Sequence, residues 1–162
     1  MKAYADSNFL VRLHLATSGY EEAKELVLGL GRQSLAPLPI GWLHRAEVAN
    51  AFQYHVFLSR QGMDVRVPPE VAAAALVAFE EDVEAKAYLA AVAIPPPQLA
   101  QQAKELSARH TAKHGFRTYD LLHVASALLL GCDTFWSFDE KANRLAALEG
   151  LAIRTGTTRR KH

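Results

Sequence analysis

The sequence predicts an α/β fold in which helices cover both faces of a central parallel sheet of four or five strands. Short apolar runs alternate with longer helical segments along the chain. Strands separated by helices at this spacing are typical of a parallel sheet. Half of the 162 residues are hydrophobic and 22% are charged, which suits one compact domain with a real core.

The first half of the chain alternates a strand, two helices, a second extended segment and two long helices. The predicted elements are, in order, a strand at Lys2–Ala5, helices over 9–15 and 20–30, an extended piece at Leu35–Leu38, and helices over 42–58 and 69–86. Glycines at 29 and 31 end the second helix, and Pro69 suits the first turn of the last one.

The second half continues the alternation and contains no internal repeat. Its predicted elements are a strand at Ala91–Ile94, a helix over 98–110, a basic loop, a helix over 119–130, a strand at Thr134–Phe138, a helix over 141–148 and a last strand at Leu151–Arg154. We therefore expect one domain over 1–155. The basic tail 156–162 has no apolar residue to pack and is expected to be disordered.

Net charge, cysteine content and hydrophobic run length limit the kinds of protein that this chain could be. With 18 basic and 17 acidic side chains the net charge is +1, so a surface for nucleic acid has to be local. Cys132 is the only cysteine and lies in an apolar context, which indicates a buried thiol in a reducing cytoplasm. No run approaches the ~20 apolar residues that span a bilayer, and the amino terminus has no signal-peptide pattern. We expect a soluble cytoplasmic protein.

Four acidic residues fall where predicted strands end and helices begin. Asp6 follows the first strand in "YADSNFL", and Glu47 lies early in the helix "WLHRAEVANAF". Asp120 is in the first turn of "TYDLLHVASALLLG", and Asp139 follows "TFWSF". In such sheets ligands bind at the carboxyl ends of the strands, so we expect the four carboxylates to converge on one pocket.

Converging carboxylates need a positive partner. Two unit charges 4 Å apart repel by ~4 kcal/mol at an effective dielectric of 20. No lysine or arginine lies at the matching strand ends, apart from Arg45 and Arg117 nearby. Oxygen-only ligands favour Mg²⁺ or Mn²⁺, whereas zinc would require His and Cys at ligand spacing. A metal that activates water at such a site hydrolyses phosphate esters.

At these residues the chain resembles the PIN domain, and most closely the VapC-type ribonuclease toxins of toxin–antitoxin pairs. The motifs are the early "DSN", the acid in "AEVANAF", "TYDLLHVASALLLG", "TFWSFDEKANRLA" and a terminal "GLAI". The resemblance implies a three-layer α/β/α fold, a Mg²⁺- or Mn²⁺-dependent endoribonuclease, homodimers and inhibition by a small antitoxin. It places the family's acidic quartet on Asp6, Glu47, Asp120 and Asp139, and its small polar residue on Ser7 or Asn8, where it would position water or substrate.

Each acid also has a simpler interpretation. Asp6 suits a helix N-cap, Asp120 could complement a helix dipole, Asp139 could be a turn residue, and a single Glu47 is usually solvated. The four together favour the metal site. One alternative function is a non-catalytic PIN-like module that binds RNA. A phosphoacceptor at Asp6 is less favoured, because Asn8 stands where a second Asp would be needed.

Basic residues near the acids are candidates for contacts with RNA phosphates, which bind without reading sequence. These candidates are Arg12, Arg45, Lys113 and Arg117. Arg12 and Arg45 could instead pair with an antitoxin carboxylate, and the loop carrying Lys113 could simply be solvated. Surplus apolar residues around Phe52–Leu58 and Val71–Phe79 suit a dimer interface or a groove for an antitoxin helix.

Overall fold

Helices and short parallel strands alternate along residues 1–63 and 66–154, the part of the chain that the computed structural model describes. The strands are β1 (Ala3–Ala5), β2 (Leu38–Ile40), β3 (Leu89–Ala91), β4 (Thr134–Trp136) and β5 (Ala152–Ile153). The helices are α1 (Ser7–Leu15), α2 (Tyr20–Arg32), α3 (Trp42–Arg60), α4 (Pro69–Ala85), α5 (Pro96–His114), α6 (Thr118–Leu129) and α7 (Glu140–Leu148). The predicted basic tail, 156–162, lies outside the described residues.

The five strands form two sheets. One sheet has the strand order β1-β4-β5, and the other pairs β2 with β3. β2 and β3 run parallel, with Leu38 opposite Leu89, and β4 and β5 run parallel, with Thr134 opposite Ala152. The predicted α/β alternation with parallel strands is therefore present, but the strands are divided between a three-stranded and a two-stranded sheet.

The chain divides into two compact units, each with its own buried residues. The first, Ala5–Ala93, is called the amino-terminal unit. In it α1 packs against α2, α3 and α4, while α4 contacts β3 and α3 contacts β2. Its largest fully buried side chains are Phe9, Phe52, Phe79, Leu10, Leu38, Ile40 and Leu89. The apolar spacing on these helices thus fills the interior of this unit.

The other unit joins Met1–Tyr4 to the chain from Ile94 onward and is called the carboxyl-terminal unit. α6 packs against α5 and α7, and α7 contacts β4 and β5. Tyr4 and Phe135 stack inside it with ring centroids 5.7 Å apart. Tyr4 also forms a hydrogen bond with Nδ1 of His123 at 2.9 Å, so His123 is a hydrogen-bonded core histidine.

The expected basic loop before α6 is wrong over its first residues, because α5 continues to His114. The residues after position 110 are helix-permissive, and the helix ends where Gly115 adopts a φ of 68° that a side chain would disfavour. The Gly115 N–H donates to the Thr111 carbonyl at 2.8 Å and caps the helix. Lys113 consequently lies exposed in the last turn of α5.

Two acidic residues of α4 form contacts with neighbouring elements. Glu80 forms an ion pair with Arg45 of α3. Asp82 pairs with His14 of α1 at 3.1 Å and also accepts a hydrogen bond from Tyr88. These contacts fasten α4 to its neighbours inside the amino-terminal unit. None of the described helices has the length and apolarity that crossing a membrane requires.

Candidate functional site

Asp6 begins α1 immediately after β1. Its Oδ1 accepts the Phe9 N–H at 2.9 Å, so Asp6 is the N-cap that its position suggested. The residue is only 4% exposed. The next residue, Ser7, is also buried, and its hydroxyl donates to Glu47 Oε2 at 2.8 Å. The start of α1 and the first turns of α3 are therefore tied together at the two predicted acids of the amino-terminal unit.

His44 is a residue of this region that the sequence analysis missed. Its side chain is buried, its Nδ1 accepts the Gly41 N–H at 3.1 Å, and its Nε2 lies 2.9 Å from the Ala5 carbonyl. Since Nδ1 accepts, the proton sits on Nε2 and is donated to Ala5. One imidazole thus fixes the start of α3 to the residue before Asp6. A histidine three positions after Gly41 and three before Glu47 was the available signal.

Asp120 and Asp139 are brought together in the carboxyl-terminal unit by Arg117. The guanidinium Nη2 donates to Asp120 Oδ1 at 3.1 Å and to Asp139 Oδ2 at 2.6 Å, and its Nε donates to Asp120 Oδ2 at 3.1 Å. Asp120 Oδ2 also accepts the Arg117 backbone N–H at 3.0 Å. Asp139 Oδ1 accepts the N–H groups of Lys141 and Ala142 and caps α7. The two carboxylates share one cation.

The positive charge of Arg117 and the negative charges of Asp120 and Asp139 stabilise each other. The hydrogen bonds to Asp120 and then to Asp139 raise the pKa of Arg117 above its ordinary value. Burial would raise the pKa of Asp139, but hydrogen bonds from Arg117 and from the N–H groups of Ala142 and Lys141 outweigh it and lower the pKa. Asp139 is therefore ionised at neutral pH, and the site has anionic oxygens available for a cation.

The remaining candidates lie as follows. Asn8 is exposed, and its Oδ1 accepts the Arg12 Nε at 3.1 Å. Arg12 also donates to the Ser18 carbonyl at 2.7 Å, which links α1 to the following turn. Arg45 is engaged with Glu80. Lys113 is exposed. Of the four predicted phosphate contacts, Arg117 is the one that lies against predicted metal ligands.

The four predicted acids thus lie in two pairs, one in each unit: Asp6 with Glu47, and Asp120 with Asp139. Within residues 1–63 and 66–154, no three His, Cys, Asp or Glu side chains form a group that could hold a metal ion. The donors are nevertheless all carboxylate oxygens, which Mg²⁺ and Mn²⁺ prefer. The guanidinium shared by Asp120 and Asp139 is a stand-in cation, and it shows that this pair accommodates positive charge. The chemistry of the Asp120 and Asp139 oxygens, though not yet a complete set of ligands, suits a divalent ion.

Two other polar residues have structural roles. Cys132 is buried, which confirms the predicted buried thiol, and this burial raises its pKa to about 11. Asp133 accepts the Lys2 N–H through both carboxylate oxygens at 3.1 Å. It therefore ties the start of β1 to the start of β4 and is an exposed acid separate from the candidate site.

Comparison with known proteins identifies a family and a fold. The family model described as PIN domain matches residues 3–148. No curated protein matches the chain. Among solved structures it resembles the crystal structure of Mycobacterium tuberculosis VapC20, described as a sarcin–ricin loop cleaving toxin, with a TM-score of 0.60 and 17% sequence identity. The match covers 94% of this chain and 99% of that one. The predicted three-layer α/β/α fold is confirmed by this likeness.

Proposed function

The chain belongs to the PIN domain family, and from that premise we propose that it is a metal-dependent endoribonuclease and the toxin of a toxin–antitoxin pair. The observation that carries the proposal is the convergence of Asp120 and Asp139 on one cation. These residues are two of the four that the family resemblance selects as metal ligands.

Asp6, Glu47, Asp120 and Asp139 would hold Mg²⁺ or Mn²⁺. The ion would supply the positive charge that activates water and offsets the charge growing on the phosphodiester. Hydrogen bonds already hold three of these four side chains in place. Asp6 and Asp139 are fixed by N-cap hydrogen bonds, and Glu47 is held by the Ser7 hydroxyl. Ligands whose orientation is already fixed lose little conformational freedom when they bind.

The substrate in this proposal is RNA. Lys113 and Arg117 supply positive charge on the exposed surface that precedes Asp120, where they would contact phosphates without reading sequence. Hydrolysis would leave a 5′ phosphate and a 3′ hydroxyl, as the family resemblance implies. The M. tuberculosis protein is described as cleaving the sarcin–ricin loop, so this loop is one substrate to test.

The partners follow from the same proposal. A cytoplasmic toxin of this kind would form a homodimer and bind a small antitoxin. The exposed apolar residues of α3 and α4 offer surfaces for both contacts, since large exposed apolar side chains mark interaction sites. On α3 these are Trp42, Tyr54 and Phe57, and on α4 they are Val71 and Val77.

The test is cleavage-site mapping on total RNA by the purified protein, with and without Mg²⁺. The wild type should cut at defined sites only with the metal. Asp120→Asn should lower the cleavage rate at least ~100-fold, because removing one catalytic group commonly slows an enzyme by that order. Glu70→Gln is the matched control, since it neutralises an exposed acid of α4 that has no part in the candidate site. Cleavage that survives in Asp120→Asn contradicts the catalytic assignment.

The alternative, an RNA-binding module without catalysis, gives a different result in the same assay. It predicts that the wild type retards RNA in a gel but leaves every phosphodiester intact at all Mg²⁺ concentrations. Binding with no cleavage would therefore replace the nuclease proposal.

A further inference from the structure

Arg117 holds an unusual position at the start of α6. It is the N-cap residue, with an extended backbone, and its side chain folds back over the first helical turn to reach Asp120. The Arg117 side chain is 58% exposed, whereas that of Asp120 is 7% exposed. A solvent-facing cation therefore covers a buried acid, and it also reaches Asp139, 22 residues further along the chain.

The hydrogen bonds use most of the acceptor positions on the two carboxylates. Each carboxylate oxygen accepts about two bonds. Asp120 Oδ2 receives two N–H groups of Arg117, and Asp139 Oδ1 receives two backbone N–H groups. Among the described contacts, Asp120 Oδ1 and Asp139 Oδ2 each keep one position, and both positions lie beside the same Nη2. A divalent ion there would meet the guanidinium.

We propose that Arg117 is a resident counter-ion that a divalent cation must displace from Asp120 and Asp139, and that the displaced guanidinium then contacts the RNA phosphate. This inference rests on the proposed function. The metal ion and the guanidinium exclude each other, because two cations beside one pair of oxygens repel each other and compete for the same lone pairs. Only the side-chain bonds have to break, since the backbone N–H of Arg117 still binds Asp120 Oδ2.

The same arrangement explains how the acids stay together without metal. Two ionised carboxylates near one another repel, and the guanidinium removes that repulsion. Arg117 thus keeps Asp120 and Asp139 close enough together to bind an ion. By competing with the ion, it also sets the metal concentration at which the two carboxylates become occupied. Arginine suits this task better than lysine, because its planar fork donates to several oxygens at once.

The first test measures Mn²⁺ affinity by titration calorimetry on the full chain without RNA, for wild type, Arg117→Gln and Asp120→Asn. Arg117→Gln should bind Mn²⁺ roughly tenfold more tightly, within the range usual for coupled sites. Mn²⁺ should also raise the Tm of Arg117→Gln more than that of wild type at equal concentration, because tighter binding stabilises more by mass action. Arg144→Gln, which removes an exposed charge from α7, is the control and should match wild type.

The outcomes separate this inference from the proposed function. If Asp120→Asn abolishes Mn²⁺ binding while Arg117→Gln binds like wild type or more weakly, the displacement is wrong and the metal site stands. If Asp120→Asn binds Mn²⁺ like wild type, the metal site itself is wrong. Should Arg117→Gln not fold, Arg117→Lys takes its place, since lysine cannot bond both carboxylates in the same way and must still bind Mn²⁺ more tightly than wild type.

The second test concerns the displaced guanidinium. At saturating Mn²⁺, Arg117→Gln should raise the KM for a short RNA substrate several-fold and change kcat less, because a phosphate contact mainly contributes binding. The Mn²⁺ concentration for half-maximal cleavage should fall in the same variant. A KM equal to that of wild type at saturating metal would overturn the contact between Arg117 and substrate.

Discussion

His44 links the residue before Asp6 to the helix that carries Glu47. Both of its ring nitrogens are used, one accepting from Gly41 and the other donating to the Ala5 carbonyl. The Ala5 residue is itself buried, so this carbonyl cannot turn to water instead. A buried polar group that loses its partner costs about 1–3 kcal/mol. The amino-terminal pair of acids therefore depends on a residue that contributes no ligand.

We expect His44→Ala to lower the free energy of unfolding by about 2–4 kcal/mol, from the lost hydrogen bonds plus the cavity. Urea denaturation followed by circular dichroism measures it. Gln53→Ala is the control, because Gln53 is exposed on the same helix and its removal should change stability by less than about 0.5 kcal/mol. Equal midpoints for the two variants would show that the His44 hydrogen bonds do not hold α3 in place.

At the scale of elements, α5 and α7 are connected by an ion-pair cluster around Glu149, the C-cap of α7. Arg109 Nη2 donates to Glu149 Oε2 at 2.8 Å, and His110 Nε2 lies 2.5 Å from Oε1. Burial would raise the pKa of Glu149, but the bonds from His110 and Arg109 outweigh it and lower the pKa. Because the folded-state pKa is lowered, the stabilisation is fully present above the ordinary value of about 4.3 and is lost as the pH falls through the folded-state value.

The corresponding prediction is a pH-dependent effect of Glu149→Gln. At pH 7 the variant should be about 1 kcal/mol less stable than wild type, a value typical of a partly exposed ion pair. The difference should shrink as the pH falls below about 4, where wild-type Glu149 also becomes neutral. Urea midpoints at pH 7, 5 and 3 measure it, with Glu105→Gln on α5 as the control. A difference that stays constant over this range would mean that the cluster acts by packing alone.

Helix bounds were predictable where a local signal decides them. α3 begins at Trp42 and α4 begins at Pro69, both as expected, because proline suits a first turn and the apolar spacing is regular. The sequence predicts an extended segment at Leu35–Leu38 that ends before Pro39, whereas β2 spans Leu38–Ile40 and includes this proline. The residues on either side of Pro39 form the hydrogen bonds at the two ends of β3. The Leu38 N–H donates to the Tyr88 carbonyl, and the Ile40 carbonyl accepts from the Val92 N–H. Proline therefore removes no bond of this ladder.

The strand β3 was predicted at Ala91–Ile94 and lies at Leu89–Ala91. The sequence "LAAVAI" is apolar throughout, so it has no alternation that fixes where pairing begins. The register is set instead by β2, a partner about 50 residues away in sequence. The bounds of a strand that are set by such a distant partner cannot be predicted from the local sequence pattern.

In the candidate site, too, some features can be predicted from local sequence and others depend on tertiary packing. The four acids could be selected from their places at strand ends and from the family resemblance, and Arg117 could be noticed because it lies three residues before Asp120 on one helical turn. Its second bond, to Asp139, depends on how α6 and α7 pack, and no local spacing encodes that. His44 was missed because a buried histidine in a helix looks like any other core residue until its two partners are known.

At the scale of the whole molecule, α3 presents aromatic side chains to solvent within the amino-terminal unit. Tyr54 and Phe57 stack with ring centroids 5.9 Å apart, and their exposures are 56% and 52%. Trp42, at the start of the same helix, is 55% exposed. Aromatic residues are enriched in protein interfaces, and leaving three of them in water on one helix is unfavourable. This face suits the homodimer that we propose.

We therefore expect Phe57→Glu to weaken self-association. Truncating or charging an aromatic anchor in an interface costs about 2–4 kcal/mol, so the dimer Kd should rise on the order of 30-fold or more. Sedimentation velocity over a range of protein concentrations measures this, and Gln98→Glu, at an exposed position of α5, controls for the added charge. If Phe57→Glu and wild type sediment alike as dimers, self-association uses another face. The aromatic face of α3 would then be available to an antitoxin helix, and binding of such a peptide to wild type but not to Phe57→Glu would identify it.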